Sequence, residues 1–249
     1  MIILNHMIAT YINAIAVIIG ALIGLLIGSK LSEQFKEVVF ASAGLVTIVI
    51  GLQMAMQTQS FLVLLFSLVA GGAIGYALKI EKRILNLGNV IERFSSRNKK
   101  TDSTASGTSL FAVGFLNSSV LFCSGAMAVV GSIAAGTHAD YNLILIKSVM
   151  DGAMAIIFAA AYGPGVLGSA VTILVYQGIF TLGGATISPL LKESGLTELS
   201  AAGGVLLIMI AFNLLGVKQF KTGNFLPALV LAPLFAALAA VITEIVPFI

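Results

Sequence analysis

Asp151 and Lys147 stand one helical turn apart in Lys147-Ser148-Val149-Met150-Asp151-Gly152, inside an apolar run that begins near Asn142. If that run is a helix, the carboxylate lies about 13 Å along it, near the middle of a bilayer. A charged group at that depth costs roughly 2.5 to 3.5 kcal/mol on insertion scales, so it needs a structural or functional reason to be there. The chemistry open to it is cation binding or proton carriage, with Lys147 as a counter-charge that is released when the carboxylate is occupied. The competing reading has Lys147 reaching the outer interface while Asp151 bonds another helix and holds packing. Neutral side chains do that more cheaply, which favours the functional reading.

A second constellation lies in Phe115-Leu116-Asn117-Ser118-Ser119 and Phe122-Cys123-Ser124-Gly125-Ala126-Met127. A helix broken there would free backbone carbonyls, and Asn117, Ser118, Ser119 and Ser124 would add side-chain oxygens to a cation shell. The plainer alternative is that the hydroxyls bond back to their own helix. Gln177, Asn213 and Gln53 are neutral carboxamides in other apolar runs, suited either to lining a path or to joining helices. These nine residues are the candidate ion- or substrate-binding set. No metal or cofactor is expected: the single cysteine, Cys123, has no Cys/His cluster around it, and His6 and His138 stand apart. No nucleophile has a base at a telling spacing, so the expectation is not an enzyme.

Composition defines the elements that must hold these groups. The 249 residues are 59% hydrophobic and 9% charged, with a mean hydropathy of +1.09, whereas a soluble domain carries about a quarter charged residues. A water-soluble fold is excluded, and the lipid bilayer becomes the first partner. Apolar runs at roughly 10–29, 38–56, 61–79, 109–135, 142–162, 165–187, 197–215 and 225–243 predict an all-α polytopic bundle of about eight spans. The first reads as a retained span, since no basic segment or small-residue cleavage site accompanies it. Seven spans is the alternative, in which the interrupted fourth run folds back. The net charge of +3 says less than its placement. With eight spans and an outer amino terminus, Lys30, Lys36, the cluster from Lys79 to Lys100, Lys218 and Lys221 all fall on the cytoplasmic side, leaving Lys192 outside.

Residues 1–80 form a first three-span unit and 81–107 a cytoplasmic segment. Residues 108–163 form a central two-span unit and 164–249 a second three-span unit. In the cytoplasmic segment Ile84, Leu85, Leu87, Val90, Ile91 and Phe94 recur at helical spacing among arginines, predicting an amphipathic helix on the inner leaflet. Ser95 to Gly107 lacks apolar residues and reads as a mobile linker. The basic residues here mark topology, and binding anionic lipid is their functional alternative; no nucleic-acid role follows. A shift of 160 residues sets Ser42-Ala43-Gly44 on Ala202-Gly203-Gly204 and Gln53 on Asn213, the pattern of an inverted three-helix repeat. Gly20-x-x-x-Gly24-x-x-x-Gly28 and the pair Gly71 and Gly75 predict close helix packing, within the chain or in a homo-oligomer.

Several runs together resemble one family. They are Asn13-Ala14 with Gly20-x-x-x-Gly24, Leu121-Phe122-Cys123-Ser124-Gly125-Ala126-Met127-Ala128, Lys147-Ser148-Val149-Met150-Asp151-Gly152, Tyr176-Gln177-Gly178, Asn213-Leu214-Leu215-Gly216 and Asn224-Phe225-Leu226-Pro227-Ala228. The chain resembles the YqgA/YdfK family of bacterial inner-membrane proteins, domain of unknown function 554. Where the family pattern has Gly-Pro-Met, this chain has Gly125-Ala126-Met127 and so lacks that helix-breaking proline. The resemblance implies a multi-pass protein of the bacterial cytoplasmic membrane and no particular activity. The residues themselves point to a secondary transporter, or a channel, for a small ion or polar solute. The reading from another class is a non-transporting scaffold that holds proteins or anionic lipid.

Overall fold

A computed structural model describes residues 7–86, 110–187 and 191–245. Ten α-helices lie in it: α1 (Ile8–Gly28), α2 (Glu33–Ala55), α3 (Phe61–Ala77), α4 (Ile80–Asn86), α5 (Leu110–Cys123), α6 (Ala126–His138), α7 (Asn142–Tyr162), α8 (Gly165–Ile187), α9 (Glu193–Leu214) and α10 (Pro227–Ile245). A 3-10 turn, Thr222–Phe225, precedes α10. No strand occurs among the described residues. The inner-leaflet helix expected to run on past Asn86, and the Ser95 to Gly107 linker, lie outside the described residues.

The helix ends carry the expected local chemistry. Ser32 accepts a hydrogen bond from the Phe35 N–H at 3.3 Å, and Ser60 from the Val63 N–H at 3.4 Å. Asp140 accepts from the Asn142 N–H at 3.1 Å, as expected for the start of α7. Pro164 immediately precedes α8 and Pro227 opens α10, positions where a missing N–H costs nothing; Pro233 alone of these lies inside a helix.

Six helices are long and apolar enough to cross a bilayer by themselves, and eight spans result if each of two bent pairs is one crossing. One pair is α3 with α4, bent by 57°; the other is α5 with α6, bent by 63°. The second pair follows α8 along its length. Phe111 of α5 lies against Gly165 at the first residue of α8, while Gly136 of α6 lies against Thr181 near its far end. A run that accompanies a membrane-length helix from end to end crosses with it, which agrees with eight spans.

The spans pack in two groups that cut across the sequence-continuous units. In one, α1 lies along α7 and touches α8, and α8 is flanked by α5 and α6. In the other, α9 lies along α2 and against α10, and α10 packs on α3. The groups meet where α7 touches α2 and where α9 touches α5 and α6. Inside and outside are set by size rather than polarity. On α1 the buried face is Ala9, Asn13, Val17, Gly20, Gly24 and Gly28, while Ile12, Ile15, Ile19, Leu22 and Leu26 are exposed, as lipid contact allows.

The expected glycine faces are used within the chain. A Cβ at Gly20 would strike the Gly152 carbonyl of α7, one at Gly24 the Ile156 carbonyl, and one at Gly28 would come within 2.9 Å of the Ala160 carbonyl. Gly71 and Gly75 of α3 are spent in the same way on Ala228 and Asn224. Gly20→Ala should therefore lower stability by about 1 to 3 kcal/mol through overpacking, against near neutrality for Ala at Gly125, where φ is −90° and only Met54 Cε, at 3.8 Å, would lie within 4 Å of the new Cβ. Thermal unfolding in detergent measures both. Topology has its own check in a Cys123→Ala background. Cysteine at Lys192 should react with an impermeant thiol reagent on intact cells and cysteine at Lys218 only after permeabilisation. The reverse pattern would mean that α5 and α6 do not cross.

Candidate functional site

Helix α7 places Lys147 and Asp151 on one face, and that face is turned inward: each residue is only 7% exposed. Asp151 Oδ2 accepts from Lys147 Nζ at 2.5 Å and from Asn13 Nδ2 of α1 at 3.0 Å. Lys147 therefore does not reach for the interface; its ammonium is held against the carboxylate four residues on. Asn13, fully buried, reaches Asp151 because the glycines of α1 bring its backbone against α7. Asp151 is the tenth residue of a 21-residue helix, so the pair sits near mid-depth.

The break in the fourth span lies beside this pair. Gly125, with φ −90° and ψ 144°, is extended between α5 and α6, so the chain breaks without the proline of the family pattern. Tertiary contact supplies what proline would have: the Ser124 carbonyl rests on Gly203 of α9, where any Cβ would collide with it. Asn117 of α5 bonds Tyr162 of α7, and Gly131 of α6 lies against Ile144 of α7, so the break between α5 and α6 falls along the stretch of α7 that carries the pair. Around this region hydrogen-bonding capacity is left over. Asn13 Oδ1, Ser124 Oγ and both amide atoms of Gln177 are buried without a hydrogen-bond partner among the described residues. An unmet buried polar atom costs about 1 to 3 kcal/mol, so four of them on α1, the break and α8 call for an explanation.

The other expected members divide. Asn117 Nδ2 donates to the Tyr162 hydroxyl at 2.8 Å, joining α5 to α7. Ser118 bonds back to the Gly114 carbonyl at 2.6 Å, the plainer of its two readings. Ser119 meets Thr172 of α8 at 2.9 Å and so joins helices. Asn213 is not at mid-depth. It lies in the last turn of α9 and closes the loop to α10, donating to the Phe220 carbonyl at 2.9 Å and accepting from the Phe220 N–H at 2.6 Å. Gln53 is exposed on α2, near its far end. Both sit in apolar sequence, but a carboxamide within a turn or two of a helix end reaches loop backbone or the interface instead of lining the interior.

Asn13 and Glu198 are buried polar residues missing from the expected site set. Asn13 is a lone carboxamide in α1, and the cost argument applied to Gln53 would have found it. Glu198 of α9, 1% exposed, accepts from Thr58 Oγ1 at 2.7 Å, the Gln59 N–H at 2.7 Å and the Ser60 N–H at 3.1 Å. It takes the part a capping-box acid would take: Ser60 is the N-cap of α3, and Glu198 accepts the N–H of that residue and of the one before it. Only the fold brings residue 198 to the start of α3.

A cavity of about 1080 Å³ opens at the lysine-rich end of the bundle and reaches inward to Asn117 and Tyr162. Asp151 and Lys147 do not line it. Ser124 lies seven residues beyond Asn117 in sequence, roughly 10 Å deeper along α5. Among the described residues no group of three or more His, Cys, Asp or Glu side chains is placed to hold a metal.

Fold and site define a polytopic helical membrane protein built around a buried ion pair. The chain belongs to the family described as "Protein of unknown function (DUF554)", whose model matches residues 8–237. It is similar to "Uncharacterized membrane protein YdfK" of Bacillus subtilis (strain 168), 25% identical over 231 residues that cover 91% of this chain and 94% of that one. It is also similar to "Uncharacterized protein YqgA" of Escherichia coli (strain K12), 29% identical over 234 residues that cover 94% and 98% respectively. No solved structure matches the chain.

Breaking a buried ion pair costs about 3 to 5 kcal/mol when one charge is left behind. Lys147→Met should therefore lower the unfolding temperature sharply, and the double variant Lys147→Met/Asp151→Asn should recover most of the loss. Cys123 is buried, so its reaction with a thiol dye on heating reports unfolding. Single-variant losses that simply add would show that the two charges do not depend on each other.

Proposed function

We propose that this protein is a secondary transporter of the bacterial cytoplasmic membrane for a small ion or polar solute, with Asp151 as its coupling carboxylate. One observation carries the reading: a Lys147–Asp151 pair at mid-depth, beside a broken span and four buried polar atoms with no partner among the described residues. Protonation of Asp151, or a cation taken by its carboxylate, would loosen its hold on Lys147 and let Asn13, Ser124 and Gln177 turn to a solute.

The packing also supports an inverted repeat. The first, second and third spans of one copy touch their counterparts in the other, α1 with α8, α2 with α9 and α3 with α10, as a two-fold axis in the membrane plane would require. The second reading, an assembly or scaffold protein, is favoured by the isolation of Asp151 from the cavity and by its satisfaction through Lys147 and Asn13.

Proteoliposomes separate the two. Proton or sodium flux above that of empty vesicles should be lost in Asp151→Asn and partly kept in Asp151→Glu. Flux equal in wild type and Asp151→Asn, or absent from the wild type, would reject the transporter.

A further inference from the structure

At the lysine-rich end the two helix groups part around the cavity of about 1080 Å³, at or above the top of the range of about 300 to 1,000 Å³ typical of small-molecule pockets. Its walls are mainly apolar, from Phe40 of α2 and Val113 and Leu116 of α5. Its depth carries one polar pair, in which Tyr162 accepts from Asn117 and keeps its own hydroxyl hydrogen to donate. Its rim carries Lys79 and Lys82 at the bend between α3 and α4, and Lys221 before the 3-10 turn. Lysines at such helix ends mark topology in any membrane protein. What distinguishes these three is that they line one amphipathic cavity.

Among the described residues the one carboxylate on the lining is Glu81, and it is engaged: it accepts from the Gly223 N–H at 2.9 Å. Burial pushes its acid group up from the ordinary value, while the Gly223 hydrogen bond and Lys221 pull the other way. The field at the rim is therefore positive.

We infer that this cavity binds an amphiphile with an anionic phosphate head, the head among Lys79, Lys82 and Lys221 and the tail against Phe40, Val113 and Leu116. Ammonium groups from three points suit an anion with several oxygens, and apolar walls behind them suit a chain instead of a free inorganic ion. A phospholipid of the adjoining leaflet and a soluble alkyl phosphate share this chemistry. The site is separate from Asp151 and does not rest on the transport reading.

Binding to the full chain in neutral detergent, read by native mass spectrometry, tests it. One arm compares dioleoylphosphatidylglycerol with dioleoylphosphatidylcholine; the other uses hexyl phosphate. The wild type should retain the anionic lipid over the zwitterionic one. Each rim lysine contributes about fivefold, so Lys79→Gln/Lys82→Gln/Lys221→Gln should lose roughly 100-fold. Val113→Trp keeps every charge but fills the cavity, and should also lose binding. Val113→Thr, nearly unchanged in shape, sets a hydroxyl against the tail and should weaken binding several-fold, which decides the matter if the tryptophan variant does not fold. Lys30→Gln/Lys218→Gln, at the same end but off the lining, should bind as wild type. Retention of hexyl phosphate alone, with the same dependence on the variants, would identify a soluble anion as the source. Binding to neither probe, or full binding by folded Val113→Trp, overturns the proposal. No transport is measured, so that outcome would leave the reading of Asp151 where it stands.

Discussion

Opposite charges can stay inside an apolar bundle only while each holds the other, and the Lys147–Asp151 pair imposes that condition on everything around it. Spacing on α7 meets the first demand, because residues four apart share a face. The second is a donor for the carboxylate from outside α7, and Asn13 can supply it only if α1 lies against α7 at backbone distance. The glycines at 20, 24 and 28 are thus a consequence of the same requirement as the asparagine. The third is separation from water, and neither residue of the pair lines the cavity.

Lipid reverses the usual rule for what goes inside. Without a hydrophobic difference between core and surroundings, helices associate through close contact and hydrogen bonds. On α1 small and polar residues therefore face inward while the isoleucines and most leucines face outward, whereas α9 buries Leu206, Leu207 and Ile210 in the core. The two ends of α3 show how charge is handled nearer water. Glu198 meets the free amides at its start, and Glu81, just past its end, bonds the turn before α10. Each acid lies where backbone N–H groups would otherwise lack acceptors, so the group of α2, α3, α9 and α10 gains fixed ends from acid–amide bonds.

The polar residues were unequally legible for a definable reason. Cost in hydrocarbon singles out Asp151, Gln177, Gln53 and Asn213 alike, since it depends on residue type and surrounding sequence. It does not tell the interior of a bundle from the end of a helix. Gln53 and Asn213 sit where water or loop backbone relieves the cost, whereas Gln177 sits where nothing described does. The serines show the same limit: Ser118 serves its own helix, Ser119 a neighbour, and Ser124 neither, although all three lie within seven residues.

Apolar run length, the positions of lysines and the spacing of glycines were enough by themselves to define an all-α bundle, its spans and the helix that carries the ion pair, because these depend on distances along one chain. The partner of Asp151, the unmet atoms near the break, the acid that caps α3 and the cavity between the helix groups were decided by tertiary structure. Each joins residues more than 40 positions apart, and nothing in a local pattern states which helices will lie side by side.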